Sequence, residues 1–228
     1  MIINKQCRLS QFREIHVKFL GGNSKYTDAV KRYAPEWQSV MGLGFKFVFD
    51  DHEDAHIQIS FNDKNTHESL VGPCRRKINS PFPGTMTLGF TENTSEETMR
   101  AIILHEFGHA VGLEHEHEHP DCPIVWDKEA VYAYYAKNFP DWSREKIEEN
   151  LFKKLDKNDP NYLFYEYDKN SVMHYFVNEE WTVGNFVVPY NTKLSDLDKQ
   201  NWQKYITGIS LLPDPSDRCA GVICRPEL

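Results

Sequence analysis

Residues 105–115 read HEFGHAVGLEH, and this stretch restricts the fold of the chain more than any other. On a helix, His105 and His109 are separated by about 400° of rotation and a rise of ~6 Å, so their rings share one face. Two imidazoles so placed can hold one zinc ion at ~2.0–2.1 Å. Glu106 falls on the neighbouring face, near enough to take a proton from a water at the metal. His115 cannot join them on a continued helix, because ten residues would carry it ~15 Å along the axis. Gly112 stands between His109 and His115, and glycine adopts positive φ readily, so the chain can turn back there. The pattern is therefore two ligands on a helix, a break, and a third ligand beyond it. Three histidines leave one position on zinc open, which is the mark of a catalytic rather than a structural site. One Zn(2+) per chain is expected.

The rest of the sequence supplies a frame for that helix. Segments 15–20, 45–50, 55–61 and 84–90 alternate as strands do. Residues 26–41 place Ala29, Val30, Tyr33, Trp37, Val40 and Met41 at helical spacing despite Pro35. Residues 62–83 carry Pro73, Pro81 and Pro83 and read as loop. The helix bearing the motif opens on a Thr94-x-x-Glu97 capping box. It shows Met99, Ile102, Ile103, Phe107 and Ala110 on its apolar stripe, and Gly112 is its natural stop. Further helices are expected at about 127–139 and 143–154, and Ser195 with Asp198 opens a final one. The last stretch, 208–228, reads as an irregular tail, and no internal repeat is present.

Composition excludes several classes. A chain of 228 residues makes one domain or two and can bury a core without staples. With 26 Lys+Arg against 34 Asp+Glu the net charge is −8, which argues against a nucleic-acid partner. No run approaches the ~18 apolar residues of a membrane span. The N-terminus shows no apolar region or cleavage site of a signal peptide. A cytosolic protein, a mature form, and a protein exported without a leader all remain open. Five cysteines, Cys7, Cys74, Cys122, Cys219 and Cys224, leave at least one unpaired within the chain. Free thiols, two bridges, or a thiolate that blocks zinc are all compatible with that count.

A second element lies downstream, where residues 167–175 read YDKNSVMHY and Met173 follows His115 by 58 residues. H-E-x-x-H-x-x-G-x-x-H followed by such a methionine turn resembles the metzincin signature. Glu116 directly after the third histidine, and Ser171-Val172-Met173-His174-Tyr175, are similar to the astacin family. AHIQISF, TMTLGF and LSDLDKQNWQKYI also sit where astacin-like domains carry similar segments, so the likeness spans roughly residues 15–206.

The resemblance implies an α+β zincin fold in two lobes. A twisted, mostly parallel sheet with an antiparallel edge strand packs on the zinc helix, and a smaller irregular lobe follows. Residues 1–13 read as an N-terminal extension, 14–207 as the catalytic domain divided near 115, and 208–228 as the tail. It implies His105, His109 and His115 as zinc ligands, Glu106 as general base, and Met173 as the floor beneath the metal. Tyr175 becomes a fifth ligand that swings off to donate to the oxyanion, a role suited to a phenol. In that family the residue matching Glu116 helps bind the mature N-terminus. This chain begins at Met1 with no propeptide in view, so that role is not expected here. The usual disulfides do not map onto these cysteines, and a free thiol or a Cys219–Cys224 bridge is expected.

Substrate contacts follow from the same likeness. The strand 84–90, with Thr85, Met86, Thr87 and Leu88, is expected to be the sheet edge to which an extended substrate adds. Lys193 lies near a basic position of the primed-side pocket, with a solvated lysine as the plainer reading. His117 and His119 are expected on a solvated loop, His174 as a satisfied structural histidine, and His16, His52, His56 and His67 as scattered. The activity expected is hydrolysis of internal peptide bonds in a protein or peptide, by a monomer, with a secreted or exported location favoured by the resemblance. A zinc-binding peptide receptor without turnover and a hydrolase of non-peptide amides are the alternatives. The intact Glu106 speaks against the first, and a narrow pocket would favour the second.

Overall fold

Alternating burial lays out the sheet. In β2 (Glu14–Phe19) the side chains of Ile15 and Val17 are fully buried while His16 and Lys18 are partly exposed, as in a strand with one covered face. A computed structural model describes residues 1–5, 14–42, 45–64, 66–72 and 84–208. With β3 (Lys46–Phe49), β4 (Ile57–Asn62), β5 (Glu68–Ser69) and β6 (Met86–Gly89), β2 forms a five-stranded sheet ordered β3-β2-β4-β6-β5. The first four strands run parallel, and β5 runs antiparallel to β6.

Helices α1 (Ser24–Tyr33), α2 (Pro35–Met41) and α3 (Glu96–Ala110) pack with this sheet around one core. That core joins Ile15, Val17, Ile57 and Ile59 of the sheet to Val30, Trp37, Ile103 and Phe107 of the helices. The helix expected over 26–41 is two helices. Pro35 begins the second, because proline has no N–H to donate and suits a first turn. The cap of α3 is also shifted by one residue. Ser95, not Thr94, accepts from the Thr98 N–H at 3.1 Å, while the Thr94 hydroxyl accepts from the Thr91 N–H at 2.9 Å.

Residues 84–90 are not the sheet edge that the sequence suggests. Strand β6 is paired on both sides: Thr87 faces Ser60 of β4 and Glu68 of β5, and Met86 faces Ile59 and Ser69. Thr85, Met86, Thr87 and Leu88 are accordingly buried. The antiparallel edge is β5, two residues that lie in the segment read as loop.

The first residues join the body of the fold instead of standing ahead of it. Strand β1 (Ile2–Asn4) pairs antiparallel with β7 (Tyr162–Phe164), with Ile2 opposite Phe164. The Asn4 N–H donates to Gly112 O at 2.9 Å and the Glu114 N–H to Ile2 O at 3.1 Å. Met1, Ile2 and Ile3 are each at most 1% exposed, so this strand stitches the two halves of the chain.

Beyond α3 the second lobe holds α4 (Lys128–Asn138), α5 (Arg144–Ile147) and α6 (Asp196–Gly208). Val131, Tyr135, Ile147, Leu151 and Trp181 form its own apolar cluster. Ser195 and Asp198 cap α6 reciprocally, Ser195 Oγ accepting from the Asp198 N–H at 2.8 Å and Asp198 Oδ2 from the Ser195 N–H at 3.0 Å. Cys122 is a free, buried thiol. Cys7, Cys74, Cys219 and Cys224, the loop prolines Pro73, Pro81 and Pro83, and residues 209–228 of the tail lie outside the described residues. Among the described residues, no helix is long and apolar enough to cross a membrane.

Candidate active site

Helix α3 runs through the middle of the domain, and every residue from Ala101 to Ala110 is enclosed, His105, Glu106 and His109 included. The helix ends at Ala110, and Gly112 takes φ +100°, a value that glycine adopts without strain. The reversal brings His115 back to the helix. The ligand atoms of His105, His109 and His115 all lie within 4.8 Å of one another. Nε2 of His109 is 2.9 Å from Nε2 of His105 and 3.1 Å from Nε2 of His115.

Their tautomers follow from the other ring nitrogens. Nδ1 of His105 is 2.7 Å from Val172 O, and Nδ1 of His109 is 2.8 Å from Leu113 O. A carbonyl only accepts, so each Nδ1 carries the proton and each neutral ring turns a lone pair outward at Nε2. Two lone pairs at 2.9 Å repel unless a cation lies between them. Ligands on a tetrahedral zinc with bonds of ~2.0–2.1 Å stand ~3.3 Å apart, close to the spacings found. The three residues therefore fit a zinc ion in both chemistry and distance.

The methionine turn packs against α3. Met173 is 1% exposed. A Cβ added at Gly108 would fall 2.2 Å from its sulfur, so the absence of a side chain at Gly108 lets the thioether lie against α3. Asp198 holds that turn from below. Its Oδ1 accepts from Ser171 Oγ at 2.6 Å and its Oδ2 from the Val172 N–H at 3.1 Å. Val172 O in turn receives His105, so one buried carboxylate on α6 fixes the orientation of a ring on α3. In the sequence Asp198 shows only as a helix-start residue; its burial gives it this second role.

Glu116 ties the same region together. Its Oε1 accepts from the Met1 α-amino group at 2.8 Å and from the Asp168 N–H at 2.8 Å. Its own N–H donates to Met173 O at 2.9 Å. Burial pushes its carboxyl up to about 7, and the Met1 ammonium offsets part of that rise. The expectation that Glu116 does not engage the N-terminus is thus corrected: pairing β1 with β7 carries Met1 to it.

Tyr175 is half-buried, with its ring centroid 4.4 Å from that of His115 and 4.3 Å from that of His117. His117 and His119 are not on a solvated loop, being 2% and 0% exposed. His117 Nε2 donates to Asn150 O at 2.8 Å, and His119 Nε2 to Tyr165 O at 2.7 Å. Burial pushes His119 down to about 4. His174 is a satisfied structural histidine, donating to Tyr175 O at 2.8 Å and accepting from the Tyr167 hydroxyl at 2.9 Å. His16, His52 and His56 are gathered instead of scattered: the His16 ring lies 4.8 Å from His52 and 5.8 Å from His56. Lys193 is exposed at the surface.

Comparison with known proteins agrees with this arrangement. The family model described as Astacin, a peptidase family, matches residues 23–196. A structure of myroilysin matches with a TM-score of 0.81 and 32% identity, covering 90% of this chain and 98% of that one. A crystal structure of myroilysin matches at 0.60 and 32%, covering 86% and 84%. High choriolytic enzyme 1, a hatching enzyme zinc-protease from the medaka fish Oryzias latipes, shares the fold at a TM-score of 0.53 and 19% identity, covering 85% and 89%. No curated protein matches in sequence. With the family model spanning most of the chain and the histidine triad assembled as above, the chain belongs to the astacin family of zinc metalloendopeptidases.

Proposed function

We propose that this chain cuts internal peptide bonds of extended protein segments, with His105, His109 and His115 holding one zinc ion and Glu106 acting as general base. The observation that carries the reading is the convergence of three ring nitrogens, two of them fixed as lone-pair donors by backbone carbonyls. Zinc bound there supplies Lewis acidity, polarising a carbonyl and bringing the pKa of water toward ~7. The chain supplies the rest. The Glu106 carboxylate takes the proton of the attacking water and passes it to the leaving amine nitrogen. The Tyr175 hydroxyl donates to the oxyanion as charge develops on it. Among the described residues the sheet ends at β5, next to the histidines' helix, which supports an extended substrate adding to that edge rather than to β6.

Metal analysis of the purified chain tests the reading first. It is expected to give one zinc per chain, and a chelator is expected to abolish cleavage of an unfolded protein reversibly. No zinc, or two ions per chain, overturns it. Tyr175→Phe is expected to keep the zinc and KM while kcat falls ~10²-fold, the usual cost of one oxyanion donor. Equal losses in binding and rate would instead make Tyr175 a packing residue.

A further inference from the structure

A cavity of about 270 Å³ opens beside His105 and the Tyr175 ring. Ala101, one helical turn before His105, forms part of its near wall. The far wall is aromatic, made by Tyr134 of α4, Phe139 at that helix's end, and Trp181. Trp181 is itself anchored in the second-lobe cluster, with its ring 4.8 Å from that of Tyr134. That anchoring makes the far wall a fixed surface.

The mouth is unusual for a protein surface. Six large hydrophobic side chains are exposed among the described residues, and three of them, Tyr134, Phe176 and Tyr190, border this one cavity at 38%, 45% and 51% exposure. Single exposed apolar residues are ordinary, but rings gathered at one opening mark a binding surface. Among the described residues, none that lines the cavity is Lys, Arg, Asp or Glu. Lys193 lies outside the lining, so among the described residues an acidic side chain would meet no ammonium there.

We propose that this cavity receives one bulky apolar side chain, aromatic or long aliphatic, from a residue flanking the bond to be cut. Ala101, Tyr134, Phe139 and Trp181 set that preference. The proposal rests on the peptidase reading above and names the substrate that reading leaves open. The volume is just under the ~300–1,000 Å³ of pockets that hold whole small ligands, which suits a single side chain. An unpaired charge placed among these rings would lose its hydration with no opposite charge from the lining residues to offset the loss.

The test digests a library of peptides with the full zinc-loaded chain and reads the residues on both sides of each cut bond. Phe, Tyr, Leu or Met is expected to be enriched at one of the two flanking positions. In a matched synthetic peptide, exchanging that residue for Ala is expected to lower kcat/KM ~10–200-fold, and exchanging it for Asp or Lys at least as much. Ala101→Leu fills the cavity and is expected to move the optimum to Ala or Ser. Tyr190→Ala, at the exposed mouth, is expected to narrow the Phe-over-Ala ratio. Cutting with no apolar preference at either position, or a wild-type ratio in Tyr190→Ala, overturns the inference and leaves the peptidase reading standing. A zinc-loaded chain that cuts no peptide overturns that reading and this inference with it.

Discussion

Glu106→Gln is expected to leave a folded, zinc-bearing chain whose turnover falls by about 10²–10⁴-fold, the range lost with a general base. Glutamine has nearly the shape of glutamate, so the fully buried position keeps its packing. Its amide cannot take up a proton at neutral pH, so the attacking water keeps its own. Glu106 is not one of the three converging ligands, so zinc content is expected to stay at one per chain. Affinity for a substrate-like peptide is expected to hold as well, because the change acts on the transition state rather than the ground state. Elemental analysis, peptide binding and kcat on the same preparation make the comparison. A variant that cleaves at the parent rate would overturn the mechanism, whatever the family resemblance.

His109→Ala is expected to lose the metal itself. His109 is the middle member of the triad, its Nε2 lying 2.9 Å and 3.1 Å from those of His105 and His115. Removing it takes away one of the three converging ring nitrogens. Zinc affinity should fall by more than the ~10–100-fold that follows loss of an outer hydrogen-bond partner. Activity should vanish with the metal. The substitution also strips Leu113 O of its donor, at a cost of about 1–3 kcal/mol for a buried unsatisfied group, so the melting temperature should drop too. Zinc analysis after dialysis against a weak chelator separates this variant from Glu106→Gln. One zinc per chain retained in His109→Ala would remove His109 from the ligand set.

The parts of the site legible in the sequence are those fixed by local geometry. The four-residue spacing of His105 and His109 aligns them on any helix. Gly112 permits the positive φ that reverses the chain, so His115 is readable as the third member of the triad. Period-2 burial in β2 and the reciprocal cap at Ser195 and Asp198 are local in the same sense. Where two local choices compete, the sequence errs by little: Thr94 and Ser95 can each cap α3, and Thr94 is drawn away by Thr91. The edge strand escapes a sequence reading for a related reason. Two residues, Glu68 and Ser69, are too few to show a period.

What the tertiary structure alone decides depends on residues far apart in the chain. Met1 reaches Glu116 because β1 pairs with β7, and no local pattern relates positions 1, 116 and 163. Asp198 orients His105 through Ser171 and Val172, which requires α6 to pack beneath the methionine turn. His117 and His119 look like polar loop residues until carbonyls from Asn150 and Tyr165 close over them. The aromatic cavity draws its walls from α3, α4 and Trp181, segments whose rings are unremarkable one by one. Helix period and glycine φ are properties of neighbouring residues, so a sequence carries them directly; a buried carboxylate, a paired N-terminus and a pocket are properties of distances that exist only once the chain has folded.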